Sequence, residues 1–320
     1  MATTPITVGE ITARPGERAR GFLTTDVGRG VTLRMPIVVV NGAGDGPVVA
    51  VTAGIHGAEY PGIEAAIRLS RTLQPAELRG AVILVPVVSL AAFQRRAIYV
   101  NPLDGINPNR VCPGNPTGTI TEMMAALLFQ HVIAQAEYYM DLHGGDMIEA
   151  LVPFTLYYKT GDQAVDRKSR ALAEAYGIPI IVGTTALRGG TYGAAAAMGK
   201  AAILTEAGGQ GLLDEESTAT HVRGVQNVLR SLGVLPGAPA PARPVYYDRF
   251  IWLAAEQECV YYPKVAVGQE VREGDLLAEF RDLFGERIGE LRSPASGPVL
   301  FLVTSPAINK NDPLMALGAK

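Results

Sequence analysis

The sequence predicts an α/β protein: a sheet layered by helices, followed by a small all-β module. Three observations predict it. Apolar, β-branched runs alternate with stretches of helical period as far as residue 232. A proline-rich stretch then interrupts the pattern. Beyond it, the period shortens to that of strands divided by Gly, Pro and Asp turns.

Residues 1–35 carry Thr, Arg and Gly without helical period and read as short edge strands. Residues 37–40 and 48–52 are β-branched apolar runs, as expected of buried strands. The glycines between them, Gly42, Gly44 and Gly46, read as a hairpin-type turn. A helix is predicted over 60–73, with Ile63, Ala66 and Ile67 inward, then a strand over 81–87. Residues 121–135 have helical period, with Thr121 as N-cap. Strands over 138–142, 179–182 and 201–205 alternate with helices over 166–176 and 216–232. Active residues of such sheets gather where the strands end.

Residues 233–244 hold Pro236, Pro239, Pro241 and Pro244 among alanines and read as a linker. The division is therefore an α/β domain over 1–235, a linker over 236–244 and an all-β domain over 245–320. In the latter, strands are expected over 245–252, 258–262, 276–280, 287–291 and 298–303.

Composition excludes several classes. A net charge of −3 gives no electrostatic reason to expect nucleic acid or an anionic membrane as partner. No run of 18 apolar residues is present, and the start MATTPITVGE lacks the basic and apolar regions of a secretory signal. Two cysteines, Cys112 and Cys259, form no readable disulfide framework, so a cytoplasmic location is expected.

Four motifs carry chemistry. The first, Gly54-Ile55-His56-Gly57-Ala58-Glu59, follows a predicted strand. An imidazole and a carboxylate three residues apart at a strand-to-helix turn can face one zinc ion. The same pair also fits a capping histidine beside a first-turn glutamate favoured by the helix dipole. The second, Asp141-Leu142-His143-Gly144-Gly145, adds a third ligand and leaves a zinc position open for water. Asp141 lies on the same side of its strand as His143 and can orient a zinc histidine, or it is a structural acid beside a turn.

The third motif is Leu204-Thr205-Glu206-Ala207-Gly208-Gly209. A lone carboxylate ending an apolar strand is costly unless paired or functional, which makes Glu206 a candidate general base. The fourth is the loop 104–114, where Arg110 offers a fork for a carboxylate and Asn109 a neutral donor. His131 and His221 read as ordinary helix residues, and no histidine pairs with Cys112 to make it a nucleophile.

The succession G-x-H-G-x-E, N-P-N-R-x-x-P-G, D-L-H-G-G and T-E-x-G-G resembles the succinylglutamate desuccinylase/aspartoacylase family, relatives of the zinc carboxypeptidases. The resemblance implies a zinc-carboxypeptidase-like α/β/α mixed sheet and one Zn2+ per chain on His56, Glu59 and His143. It further implies Glu206 as general base and acid, Asp141 behind a zinc histidine, and Asn109 with Arg110 on a substrate carboxylate. Pro108 and Cys112 stand where the family usually has Leu and Phe. Where it usually has a carbonyl-polarising arginine, the aligned residue is Tyr99, with Arg95 and Arg96 just before it; the choice among the three is open, with Arg96 a candidate for the role. Arg188 is a second carboxylate-binding candidate, equally readable as a surface arginine.

The C-terminal segments 265–279 and 291–302 resemble the half-barrels of biotinyl and lipoyl carriers, a barrel-sandwich-like form. The tip at 282–286 has no carrier lysine. In the family such modules narrow the mouth of the site, and Tyr246 or Tyr247 is a candidate to enter it. The expected function is zinc-dependent hydrolysis of the amide of a small N-acyl amino acid or related amine. Alternatives are a zinc carboxypeptidase acting on peptides and a non-catalytic binding protein on the same scaffold. The expected partner is a small N-acyl substrate with a carboxylate, without nucleic acid or membrane; a homo-oligomer is left open.

Overall fold

The computed structural model describes residues 4–28, 30–187 and 189–320. Among these, nine strands form one mixed sheet. In spatial order they are Val245–Tyr247, Ile180–Thr184, Phe154–Tyr158, Ala201–Glu206, Tyr138–His143, Gly44–Ala53, Arg79–Val85, Thr32–Asn41 and Arg18–Asp26. The four central strands, from Ala201–Glu206 to Arg79–Val85, run parallel. Their near-continuous apolar sequences fit strands covered on both faces.

Alternation within each strand divides two cores. Ala50, Ile83, Tyr139, Ala202 and Leu204 face one side with the helices Ile120–His131 and Thr191–Ala197. Val49, Val51, Val82, Leu84, Met140 and Ile203 face the other with the helices Tyr60–Thr72, Gln163–Tyr176 and Glu215–Ser231. The period of two thus produces helical layers on both faces.

Several local expectations change. Strands Thr32–Asn41 and Gly44–Ala53 are not hairpin partners, because Arg79–Val85 lies between them. The turn at Gly42 hands the chain across a neighbouring strand. The cap of helix Ile120–His131 is Thr119, which forms a reciprocal capping box with Glu122 worth about 1 kcal/mol. Thr121 is buried and donates its hydroxyl to Asp104. On helix Tyr60–Thr72, Leu69 is buried while Ile67 points outward. Strand Phe154–Tyr158 was not foreseen; it inserts antiparallel to Ala201–Glu206. Helix Thr191–Ala197 was also missed, because its alanines carry no apolar–polar period.

Beyond the prolines, the first strand, Val245–Tyr247, pairs parallel with Ile180–Thr184 and so extends the main sheet. Two further sheets enclose a separate small core that includes Tyr261, Leu277, Val299 and Leu317. The short strand Glu149–Leu151 leaves the α/β part to pair with Gly297–Val303. That ladder anchors the C-terminal module over the ends of the central strands. No described helix is long and apolar enough to cross a membrane.

Candidate active site

Three motifs converge because three adjacent parallel strands end together. Ala53 is in register with Leu142, and Glu206 with His143. The first strand leads into the turn bearing His56 and Glu59. Gly57 allows this turn: a Cβ there would lie 2.1 Å from the backbone nitrogen of Phe93.

Ligand atoms of His56, Glu59 and His143 all lie within 4.8 Å of one another. Glu59 occupies the N-cap of its helix but makes no side-chain capping bond. Its Oε1 lies 2.7 Å from His56 Nδ1 and its Oε2 2.9 Å from His143 Nδ1. The alternative of a capping histidine beside a first-turn glutamate therefore gives way: Glu59 faces both imidazoles. Burial opposes charge on the imidazoles, but Glu59 outweighs it at His56, and Glu59 together with Asp141 at His143, so that both are raised. Burial likewise opposes charge on Glu59, and the histidines nevertheless hold it at about 2. Two imidazoles and a carboxylate converging in a buried position form a donor set that fits zinc with an open coordination position.

Behind His143, Asp141 Oδ2 lies 2.9 Å from Nε2, on the side of the ring away from Glu59. Asp141 is itself held by the hydroxyls of Thr52, at 2.6 Å, and Thr191. On the other histidine, Asn107 Oδ1 lies 3.1 Å from His56 Nε2. Both rings are thus oriented by an acceptor on the nitrogen opposite the cluster. Asn107 was not singled out from sequence, although it is the first asparagine of the N-P-N-R motif.

These residues open onto a cavity of about 320 Å³, also lined by Asn109, Arg110 and Glu206. Glu206 Oε2 is buried without a hydrogen-bond partner. Burial, reinforced by the charges of Glu59, Glu149 and Asp141 and opposed by His143, pushes its carboxyl well above the usual range. Asn109 Oδ1 accepts from the Thr191 amide at 2.9 Å, which leaves its NH2 group to donate. Arg110 makes no ion pair among the described residues; its guanidinium lies over the Trp252 ring, 5.7 Å from the centroid.

Other candidates lie elsewhere. Arg96 is exposed at the end of helix Leu90–Arg95 and does not line the cavity. Arg95 is also exposed, with Nη1 3.4 Å from Pro102 O. Tyr99 does line the cavity, and its hydroxyl donates to Glu149 Oε1 at 3.0 Å. Arg188 lies outside the described residues. Tyr246 donates instead to Glu174 at 2.6 Å, on the helix covering the opposite face, and Tyr247 does not line the cavity. The C-terminal module supplies Phe250, Trp252, Phe301, Asn311 and Pro313. His221 is buried beneath the site, with Nδ1 2.8 Å from Tyr176 Oη.

Residues 45–232 match the family described as the succinylglutamate desuccinylase/aspartoacylase catalytic domain. The chain belongs to this deacylase family. It is 29% identical over 295 residues to the N-alpha-acetyl-L-2,4-diaminobutyric acid deacetylase of Halomonas elongata, covering 89% of this chain and 85% of that protein. Among solved structures, it is similar to the product-bound ectoine utilization protein EutE (DoeB) of Ruegeria pomeroyi, with a TM-score of 0.86, 27% identity and 100% of both chains covered. It is also similar to a succinylglutamate desuccinylase/aspartoacylase of Rhodobacter sphaeroides, with a TM-score of 0.84, 29% identity and 95% of both chains covered.

Proposed function

We propose that this protein hydrolyses the amide bond of a small N-acyl amino acid, using one zinc ion on His56, Glu59 and His143. The observation that carries the reading is the meeting of these three ligands beside Glu206, a buried carboxylate with an unpartnered oxygen. Burial of such a group without a partner is costly, so a reactive role is its best account.

Zinc held by His56, Glu59 and His143 would supply a Lewis acid that lowers the pKa of a water towards about 7. Glu206 is placed to take a proton from a water as the water's oxygen adds to the amide carbonyl carbon. It then gives the proton to the departing nitrogen as the C–N bond breaks, so that a carboxylic acid and an amine are released. Arg110 and the Asn109 NH2 group hold the substrate carboxylate and so direct the acyl carbonyl towards Glu206. Asp141 fixes the tautomer of His143. Phe250, Trp252 and Phe301 wall the cavity, whose size favours a small acylated amino acid over a peptide chain. The relative in Halomonas elongata, by its name, removes an acetyl group from a diamino acid. This supports a substrate of that size and kind.

The test is amine release from a panel of N-acetyl and N-succinyl amino acids and tripeptides by zinc-loaded protein. Turnover of N-acyl amino acids in preference to tripeptides is expected; preference for tripeptides would make the protein a carboxypeptidase.

A further inference from the structure

The mechanism above leaves one carboxylate of the cavity unused. Glu149 opens the short strand Glu149–Leu151, clamped by the C-terminal module. Its Oε1 accepts from the Tyr99 hydroxyl at 3.0 Å and its Oε2 from the Asp146 amide at 3.0 Å. The Tyr99 amide in turn donates to Asp146 Oδ2 at 2.8 Å. Glu149 is thereby held in one place, on the lining of the cavity that contains His56, His143 and Glu206.

Its bonds all come from neutral donors. No lysine or arginine among the described residues lies within ion-pair distance of it. Arg110 is the one permanent cation among the described lining residues, and it makes no ion pair with Glu149. Glu149 is half-buried, and partial loss of water, reinforced by the charges of Glu59 and Asp146, pushes its carboxyl up to about 7, with no cation in ion-pair contact to offset it. An ammonium group entering the cavity would supply that counter-ion. Its three N–H donors can reach carboxylate lone pairs that Tyr99 and Asp146 leave open.

We propose that Glu149 binds a second amine, carried on the substrate's side chain, so that the enzyme selects N-acylated diamino acids over N-acylated neutral amino acids. This rests on the amidohydrolase reading and assigns the substrate's two charged ends. Its carboxylate goes to Arg110 and its free ammonium to Glu149. A purely structural Glu149, serving only to tie Tyr99 to the loop at Asp146, would affect charged and neutral substrates alike.

Trp252, the single tryptophan of the chain, lines the same cavity and gives a readout that needs no turnover. Fluorescence titrations of wild type and Glu149→Gln would use 2,4-diaminobutyrate and its neutral isostere norvaline. Hydrolysis would be followed with the Nα-acetyl forms of both. In wild type, the diamino compound should be favoured by about tenfold or more in binding and in kcat/KM, as expected for a charge-assisted hydrogen bond. Glu149→Gln should reduce both ratios by at least about fivefold, the charge being lost while the shape is kept. A wild-type ratio near one, or a ratio unchanged in Glu149→Gln, overturns the proposal. Should the variant not fold, the two wild-type ratios decide. Hydrolysis of no member of the N-acetyl and N-succinyl panel overturns the amidohydrolase reading, and the fluorescence ratio then decides Glu149 on its own.

Discussion

Glu206 and His143 are register partners on neighbouring parallel strands, and both strands end at the cavity. Adjacent strands fix this relationship, so the acid and a metal-ligand candidate are held together by backbone pairing rather than by a loop. That rigidity suits a group that must receive and return a proton at one place.

Glu206→Gln keeps the shape of the side chain and removes its basicity. Zinc content should remain at that of wild type, while kcat falls by about 10²–10⁴-fold, the usual contribution of general acid–base catalysis. Metal analysis and steady-state kinetics on one preparation check both halves. Wild-type turnover in the variant would remove Glu206 from the chemistry.

Asp141→Asn should act through His143. Asp141 lies on the imidazole nitrogen remote from Glu59, and its loss frees the ring to choose the other tautomer. Zinc affinity should drop by about 10–100-fold. Competition with a fluorescent chelator measures it. An unchanged affinity would mean that Thr52 and Thr191 do not hold this carboxylate for the histidine's sake.

Arg110→Ala removes a guanidinium that has no carboxylate partner among the described residues and donates to Asn109 O at 2.9 Å. Losing a charge-assisted bond costs about 1.5–3 kcal/mol, a roughly 10–150-fold fall in kcat/KM for carboxylate-bearing substrates. The corresponding amide substrate should lose much less. Equal losses for both would show that Arg110 acts by packing on Trp252 instead.

His221 should make the fold acid-sensitive. Burial lowers its pKa from 6.5 to about 4, so the folded protein resists a proton that the unfolded chain accepts. The stability from this group is fully present above pH 6.5 and is lost as pH falls through about 4. The difference is on the order of 3 kcal/mol. Wild-type Tm should therefore fall more steeply than that of His221→Gln between those limits; parallel curves would contradict the assignment.

Much of the site is legible in sequence because each motif sits where an apolar run stops. Glu206 after Ala201–Thr205 and His143 after Tyr138–Leu142 stand out as polar groups that a buried strand would not otherwise carry. Glu149 obeys the same rule, as a lone acid in Met147-Ile148-Glu149-Ala150-Leu151. It escapes notice because its short strand pairs with Gly297–Val303, some 150 residues away. Trp252 and Phe301 are hidden for the same reason: they reach the cavity through tertiary docking, and no local period records that. Strand order is equally silent in sequence, as the separation of Thr32–Asn41 from Gly44–Ala53 by Arg79–Val85 illustrates. Tyr99 could be aligned but not placed; its left-handed backbone, with φ at 59°, turns it into the cavity.

The most direct test of the whole account is a zinc titration of metal-stripped protein, following amine release from the best-turned-over member of the N-acetyl and N-succinyl amino-acid panel. Activity should rise linearly and level off at one zinc per chain, and His56→Ala should abolish the rise. Full activity in the stripped protein, or a plateau that His56→Ala leaves in place, would contradict a reaction centred on His56, Glu59 and His143.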